Sequence, residues 1–285
     1  MDRYCVIGNP VEHSRSPWIH TRFAALTGQA LDYGRRVAPL DGFAAAVEAF
    51  RAEAAARGER AGGCNVTVPF KFDAAALAQS LSERARLAQA VNTLRFDAAD
   101  GRIHGDNTDG VGLVNDIERN AGVPLAGREL LLIGAGGAAA GVLGPLLDTG
   151  VRRLVVANRT VDKAVALVRR HAAPALAHGT TLEAWALGEV PGSFDVVVNA
   201  TASSLAGDAV PVAAGVLRPG ALAVDMMYGA AAAGFMGWAR AHGAVPRDGL
   251  GMLVEQAAEA FALWRGVRPP SAEVLAELRA LVDAG

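Results

Sequence analysis

The segment Leu130-Leu131-Leu132-Ile133-Gly134-Ala135-Gly136-Gly137-Ala138-Ala139-Ala140-Gly141 leaves a chain few ways to fold. Four consecutive branched apolar residues read as a strand buried on both faces, and the glycines that follow allow a turn that side chains would block. A run of small residues then opens a helix that can press closely on the strand. Strand, glycine turn and helix together begin a βαβ unit of a parallel sheet. In that context Gly134 makes the tight turn, Gly136 lets a pyrophosphate approach the backbone, and Ala139 takes the third small position. The helix N–H groups would then face the anion. A tight strand-to-helix connection with no ligand would use the same residues.

Further short apolar runs recur with helical stretches between them: Tyr4 to Ile7, Asn65 to Val68, Leu154 to Ala157, Asp195 to Asn199 and Ala221 to Asp225. Strands alternating with helices predict mostly parallel sheets. Thr93 to Phe96 and Arg102 to His104 flank a turn ending in Gly101, which predicts one antiparallel hairpin. A helix from about Gly110 to Asn120 stops at Gly122-Val123-Pro124. The domain change is placed near residue 108. Helical spacing at Leu253, Ala257, Phe261 and Trp264, resuming from Ser271 after Pro269-Pro270, predicts a final helical hairpin. Periodicity alone leaves open which domain that hairpin packs on. The fold class is therefore α/β in two domains, residues 1–108 and a Rossmann-type doubly wound domain at 109–248, with helices over 249–285.

Composition narrows the function. At 285 residues, 52% of them hydrophobic, the chain can bury two cores. Its 27 basic and 29 acidic residues give a net charge of −2, so no broad positive field exists to gather nucleic acid or an anionic membrane. Cys5 and Cys64 are too few for a disulfide framework or a Cys-based zinc site, and the histidines show no ligand spacing, so no metal is assigned. The N-terminus runs directly into an apolar strand without the features of a signal peptide, and no stretch supplies a membrane span. A reducing cytoplasm is the expected location. Cys5 is read as core, and Cys64 as approaching a cleft without a chemical role.

The second strand of the glycine unit ends in Asn158-Arg159-Thr160, where an NAD enzyme would usually place Asp or Glu on the ribose hydroxyls. Arg159 can stack on adenine and pair with a 2′-phosphate, and Lys163 adds charge one turn on. That favours NADP (NADPH) over NAD; a solvated surface arginine is the bland alternative.

Four polar clusters stand at strand ends, where open α/β sheets hold ligands. Gly8 to Pro17 contains Ser14 and Ser16, whose hydroxyls suit a polyol or carboxylate, although Ser16 ahead of Pro17 also reads as a helix N-cap. Asn65-Val66-Thr67-Val68-Pro69-Phe70-Lys71 ends with Lys71, an acid or base in one reading and a solvated helix start in the other. Ala90-Val91-Asn92-Thr93 begins the hairpin, and Gly105-Asp106-Asn107-Thr108-Asp109-Gly110 ends it. Asp106 could be only a turn residue and Asp109 only an N-cap. A Lys and an Asp converging on one hydroxyl would form a proton relay.

These blocks, in this order, resemble shikimate dehydrogenase from Val6-Ile7-Gly8-Asn9-Pro10 to Asp248-Gly249-Leu250-Gly251-Met252-Leu253-Val254-Glu255-Gln256-Ala257. The resemblance implies reversible NADPH-dependent reduction of 3-dehydroshikimate to shikimate, in aromatic amino-acid synthesis, with the ring in a cleft between two α/β domains. Carried over by position, Lys71 and Asp109 match the family's catalytic pair. Ser14, Ser16, Thr67, Asn92, Tyr228 and Gln256 match its substrate contacts. Gly134, Ala135, Gly136, Gly137 and Ala138 match the glycine loop, Asn158, Arg159 and Thr160 with Lys163 the adenosine-phosphate pocket, and Met226 and Gly249 the nicotinamide side. The resemblance also implies that the last helices return to the substrate domain, that the partners are small molecules, and that the assembly is a monomer or homodimer.

Three stretches depart from the family's pattern. Ala139-Ala140 stand where Ser-Arg is frequent, which places more of the NADP preference on Arg159; Gly229 to Phe235 and Ser203 to Gly207 are also altered. The competing readings are a quinate, aminoshikimate or NAD-using variant, and a glutamyl-tRNA reductase or folate dehydrogenase sharing the nucleotide domain. A dinucleotide sensor without turnover is the non-enzyme alternative, and retention of Lys71 and Asp109 argues against it.

Overall fold

The computed structural model describes residues 1–201 and 210–284, so Ser203 to Gly207 lie outside the described residues. The chain divides into two compact units, Met1–Gly112 with Val254–Leu278, and Leu113–Leu253 with Arg279–Gly285.

The first unit is a six-stranded sheet with helices on its faces. Its elements are β1 (Asp2–Gly8), α1 (Ser16–Thr27), β2 (Leu31–Val37), α2 (Phe43–Ala56), β3 (Arg60–Val66), α3 (Lys71–Leu77), β4 (Ser80–Leu81), α4 (Glu83–Ala88), β5 (Thr93–Phe96) and β6 (Ile103–Asp106). The order is β2-β1-β3-β5-β6-β4. Strand β1 pairs in parallel with β2 and β3, and β4 with β6, while the predicted hairpin β5–β6 joins β3 antiparallel. Two of these strands, β2 and β4, do not stand out in the sequence. Strand β3 begins at Arg60, five residues before the predicted run, because Gly62 and Gly63 interrupt its apolar pattern. Those glycines are needed where they stand: a Cβ on Gly62 would lie 2.4 Å from the Tyr4 ring, and one on Gly63 would lie 2.5 Å from Trp264 Nε1.

The last helices are α10 (Leu250–Arg265) and α11 (Ser271–Asp283). Within the first unit, Trp264 Nε1 donates to Leu94 O at 3.0 Å and Arg22 Nε donates to Glu277 Oε2 at 2.7 Å. Arg84 donates to Asp106 at 2.7 and 2.6 Å and to Glu259 at 3.2 Å. Burial raises the Asp106 carboxyl, and Arg84 outweighs it, leaving the pKa below the usual value. Asp106 is thus a buried strand residue and ion-pair partner, which corrects the reading of it as a turn residue. Cys64 is fully buried with its Sγ 3.4 Å from that of Cys5, so it faces the core and no cleft.

His20, on α1, is fully buried and stacks on Tyr33 with centroids 4.4 Å apart and planes within 4°. Phe23, Phe261 and Trp264 complete the surroundings. Burial drives its pKa down to about 3, against a smaller upward pull from Asn65. Below an unfolded value of 6.5 the unfolded chain takes up a proton that the native state refuses, so stability falls as pH drops from 6.5 toward 3. This one residue is expected to cost about 2 kcal/mol of stability between pH 7 and pH 5. Urea unfolding of wild type and His20→Phe at the two pH values tests it: the variant should lose most of that slope, and an unchanged slope would place its origin elsewhere.

The second unit carries α5 (Asp109–Asn115), which begins at the end of the first unit and continues as a π-helical turn (Asp116–Asn120). Then come β7 (Glu129–Ile133), α6 (Gly137–Asp148), β8 (Arg153–Asn158), α7 (Val161–Arg170), α8 (Ala172–Ala177), β9 (Thr181–Ala186), β10 (Phe194–Asn199), β11 (Leu217–Asp225), α9 (Ala233–Ala241) and β12 (Val245–Arg247). All pairings are parallel, in the order β12-β11-β10-β7-β8-β9. This is the doubly wound sheet expected from the glycine unit. Chain direction across the sheet reverses between β7 and β10, the switch point at which such sheets hold ligands. Helix α6 is buried from Ala139 to Leu147, which explains why its sequence is apolar throughout.

Candidate functional site

In the first unit, the ends of β1 and β3 are pinched together. A Cβ on Gly8 would meet Thr67 Cγ2 at 2.3 Å, so the glycine brings the loop after β1 against Thr67. Asn9 N donates to Val68 O at 3.0 Å, and Asn9 Nδ2 to Ala38 O at 2.9 Å. In this loop Ser14 Oγ accepts from Ser16 N at 3.3 Å and donates to Ser16 Oγ at 3.2 Å. The N-cap of α1 is Arg15, with no side-chain cap bond, and Ser16 is already helical. This corrects the N-cap reading of Ser16, whose hydroxyl is left for other partners. Arg35, on β2, donates from Nε and Nη2 to Ser14 O at 3.1 and 2.6 Å and so holds the loop from the side.

Lys71 is the first residue of α3, and its carbonyl accepts from Val91 N at 2.8 Å. That bond ties α3 to the segment carrying Asn92. Lys71 Nζ donates to Asp109 Oδ2 at 2.5 Å, and the two side chains are 18% and 9% exposed, so the pair is largely but not fully buried. Asp109 opens α5, and its side chain is turned away from capping. Oδ1 accepts from Asn92 Nδ2 at 2.8 Å, while Asn107 Oδ1 accepts from Asp109 N at 3.1 Å. Gln256, on α10, places Oε1 3.4 Å from both Asn92 Nδ2 and Thr108 Oγ1. Gly112 makes this approach feasible, since a Cβ there would lie 2.7 Å from Gln256. Lys71, Asp109, Asn92 and Gln256 therefore share one buried polar cluster, with Ser14, Ser16 and Thr67 on the neighbouring strand-end loops. An ammonium held by a carboxylate beside amides and hydroxyls can donate a proton and bind an oxygen-rich ligand.

The second unit holds the remaining candidates. Gly134 ends β7 with φ +112°, and a Cβ there would meet Ala200 O at 3.1 Å. Both conformation and space require glycine at this turn. Gly136 differs: its φ of −88° suits any residue, and an added Cβ meets nothing within 4 Å. The protein's own packing does not demand glycine at that position, which leaves an open cradle before the α6 N-terminus, where Gly137 and Ala138 begin the helix without a side-chain cap. Beside the glycine turn, on the neighbouring strand, Arg159, Thr160 and Lys163 follow β8 and are exposed, while Asn158 Nδ2 donates to Thr160 O at 2.9 Å. Arg159 and Lys163 make no ion pair among the described residues. Met226 and Tyr228 follow β11 and are half-buried. Gly249 lies against Met226, with a virtual Cβ only 2.3 Å from Met226 O, and its N–H donates to Met227 O at 2.8 Å.

Three family models match along the chain: the shikimate dehydrogenase substrate binding domain over residues 6–94, shikimate / quinate 5-dehydrogenase over 117–207, and the shikimate 5'-dehydrogenase C-terminal domain over 249–279. A shikimate dehydrogenase (NADP(+)) of Methylibium petroleiphilum is 67% identical over 99% of this chain and 95% of its own length. The chain belongs to the shikimate dehydrogenase family. An Ael1 enzyme from Pseudomonas putida has a similar structure, with a TM-score of 0.86 and 47% identity over 98% of each chain. A shikimate 5-dehydrogenase from Thermus thermophilus, solved with NADP(H) and shikimate, has a TM-score of 0.79 and 28% identity over 98% of this chain and 99% of that one.

Against this shikimate dehydrogenase background, the cluster contains residues that motif reading passed over. Tyr33, Thr93 and Thr108 all bond into it, and Arg35 braces the serine loop. Thr93 and Thr108 stand inside quoted motifs and could have been found by asking where a buried hydroxyl finds its partner. Tyr33 and Arg35 could not, because strand β2 left no apolar signal in Leu-Asp-Tyr-Gly-Arg-Arg-Val.

Proposed function

We propose that the protein catalyses the reversible NADPH-dependent reduction of 3-dehydroshikimate to shikimate, in the cytoplasm. The observation that carries this reading is the Lys71–Asp109 pair at 2.5 Å, held by Asn92 in a chain 67% identical to a shikimate dehydrogenase (NADP(+)). Ser14, Ser16, Thr67, Asn92, Tyr228 and Gln256 bind the carboxylate and hydroxyls of the ring. Lys71 donates its proton to the carbonyl oxygen as that oxygen becomes an alkoxide, and its charge stabilises the developing anion. Asp109 holds the ammonium in place and completes the proton relay with it. In the reverse direction Lys71, left neutral, accepts the proton of the hydroxyl.

NADPH, when bound, supplies the hydride that reaches the ketone carbon. The open cradle at Gly136 and the uncapped start of α6 fit its pyrophosphate, and Arg159 with Lys163 fits a 2′-phosphate. Gly134, Ala135, Gly137, Ala138, Asn158 and Thr160 line the same side, with Met226 and Gly249 at the nicotinamide. Ala139 and Ala140 are both buried inside α6 and neither supplies a guanidinium beside the glycine turn, which places the 2′-phosphate contact on Arg159 with Lys163. Arg159→Ala is accordingly expected to raise the KM for NADP about tenfold or more while leaving that for shikimate unchanged. Steady-state kinetics with each substrate varied in turn will tell, and an unaffected NADP constant would remove Arg159 from the pocket.

The experiment that tests the function follows reduced-nicotinamide absorbance with shikimate or quinate, each offered NADP or NAD. Rapid NADPH formation from shikimate is the expected result. A preference for quinate or for NAD would move the chain to another branch of the family, and silence in all four combinations would overturn the reading.

A further inference from the structure

The strand β2 that carries no motif reaches the centre of the candidate site through hydrogen bonds. Tyr33 OH donates to Asn65 Oδ1 at 2.7 Å, Asn65 Nδ2 donates to Thr93 Oγ1 at 3.1 Å, and Thr93 Oγ1 donates to Asn92 Oδ1 at 2.9 Å. Asn92 Nδ2 then donates to Asp109 Oδ1 at 2.8 Å, and Asp109 Oδ2 holds Lys71. At the other end the Ser16 hydroxyl, bonded by Ser14, faces the Tyr33 phenol. Tyr33, Asn65, Thr93, Asn92 and Asp109 are all buried within the first unit.

The direction of every bond in this chain is forced. The Thr108 backbone N–H, which can only donate, reaches Asn92 Oδ1 at 2.9 Å, so the amide nitrogen of Asn92 must face Asp109. Thr93 spends its single proton on Asn92 Oδ1 and must accept from Asn65, which turns the Asn65 oxygen toward Tyr33. A phenol is the donor this position needs, and burial pushes the Tyr33 pKa well above its ordinary value, keeping the proton on. Donation therefore runs one way from the Tyr33 phenol to the carboxylate.

We propose that Tyr33, Asn65 and Thr93 are positioning residues for the Lys71–Asp109 pair that act by fixing the Asn92 amide against Asp109. This rests on the function proposed above. Removing the phenol proton leaves the Asn65 oxygen buried without the Tyr33 donor, a cost of about 1–3 kcal/mol that favours a shifted Asn65 side chain. Such a shift loosens the Asn65 hydrogen bond that orients the Thr93 hydroxyl toward Asn92, so Asn92 leans more on its Thr108 donors and holds Asp109 less firmly. Because Thr108 still restrains Asn92, the effect is a partial loss of turnover.

The test compares wild type with Tyr33→Phe, Thr93→Val and Thr93→Ser in steady-state shikimate oxidation, with melting temperature and far-UV circular dichroism recorded for each. Tyr33→Phe keeps the ring that stacks on His20, and Thr93→Val keeps the shape of threonine. Both are expected to lower kcat about tenfold per folded enzyme with KM for shikimate within about twofold, whereas Thr93→Ser, which restores the hydroxyl, stays near wild type. A purely structural role would lower the melting temperature and leave kcat per folded enzyme intact, and kcat within about twofold of wild type in Tyr33→Phe would overturn the proposal. An inactive wild type overturns the functional reading and this one with it; an active wild type beside unimpaired variants overturns this one alone.

Discussion

Replacing Lys71 with methionine is expected to lower kcat by about a thousandfold, within the range that positioned proton transfer contributes, and to change the KM for shikimate only slightly. The reasons are local. Methionine keeps an unbranched chain of similar length at the head of α3, so the packing of Phe70 and Ala74 beneath it is preserved. Asp109 Oδ1 still accepts the hydrogen bond from Asn92 Nδ2, so its carboxylate is still held in place. What disappears is the proton and the positive charge facing the carbonyl oxygen, an interaction stronger in the transition state than in the ground state. Such a loss shows in kcat and kcat/KM equally. A rise in KM with kcat preserved would instead make Lys71 a binding residue, and a collapse of melting temperature would show that the ion pair supports the fold.

The largest stability effect is expected away from the chemistry. Asp116, fully buried where α5 gives way to its π-helical turn, accepts from Arg247 at 2.7 and 2.5 Å and from Asn120 at 3.0 Å. The carboxylate lies so close to the first turn of α10 that a Cβ on Gly251 would fall 1.7 Å from Oδ1. Two stretches remote in sequence, the α5 turn and the run from β12 into α10, are thus gathered on one carboxylate inside the second unit. Arg247→Met leaves that charge buried and without its cation, which costs about 3–5 kcal/mol, or about 10 °C in melting temperature for a protein of this size. The double variant Arg247→Met with Asp116→Asn should recover part of the loss, because it removes the stranded charge. Calorimetry of the three proteins provides the check, and a loss under about 1 kcal/mol for the single variant would mean that water or Asn120 compensates the carboxylate.

Much of this architecture is written locally in the chain. Leu130 to Gly141 specifies strand, turn and helix through residue size and backbone freedom alone, and the parallel sheet of the second unit follows from repeating that logic. The central strands β7, β8 and β10 are the ones the sequence shows best, since burial on both faces demands unbroken apolar runs. Edge strands escape notice for the converse reason. Strands β2, β9 and β12 each border one neighbour, keep half-exposed positions and carry arginine, glutamate or proline without penalty.

The site divides along the same line. Residue type and order nominate Lys71, Asp109, Asn92 and the glycine loop, because a motif is a local arrangement and its chemistry travels with it. That Lys71 and Asp109, 38 residues apart, meet at 2.5 Å was decided by the crossing of β3, β5 and β6, which brings the start of α3 to the start of α5. Tertiary structure also decided that Asp106 pairs with Arg84, that Cys64 turns inward to Cys5, and that Tyr33 reaches Asp109 through three other side chains. Each of these outcomes depends on which buried donor finds which acceptor once the sheets have formed. A hydrogen bond between distant segments leaves no spacing in the sequence, and an unmet polar group in the core costs enough that the fold must supply its partner from wherever the chain happens to pass.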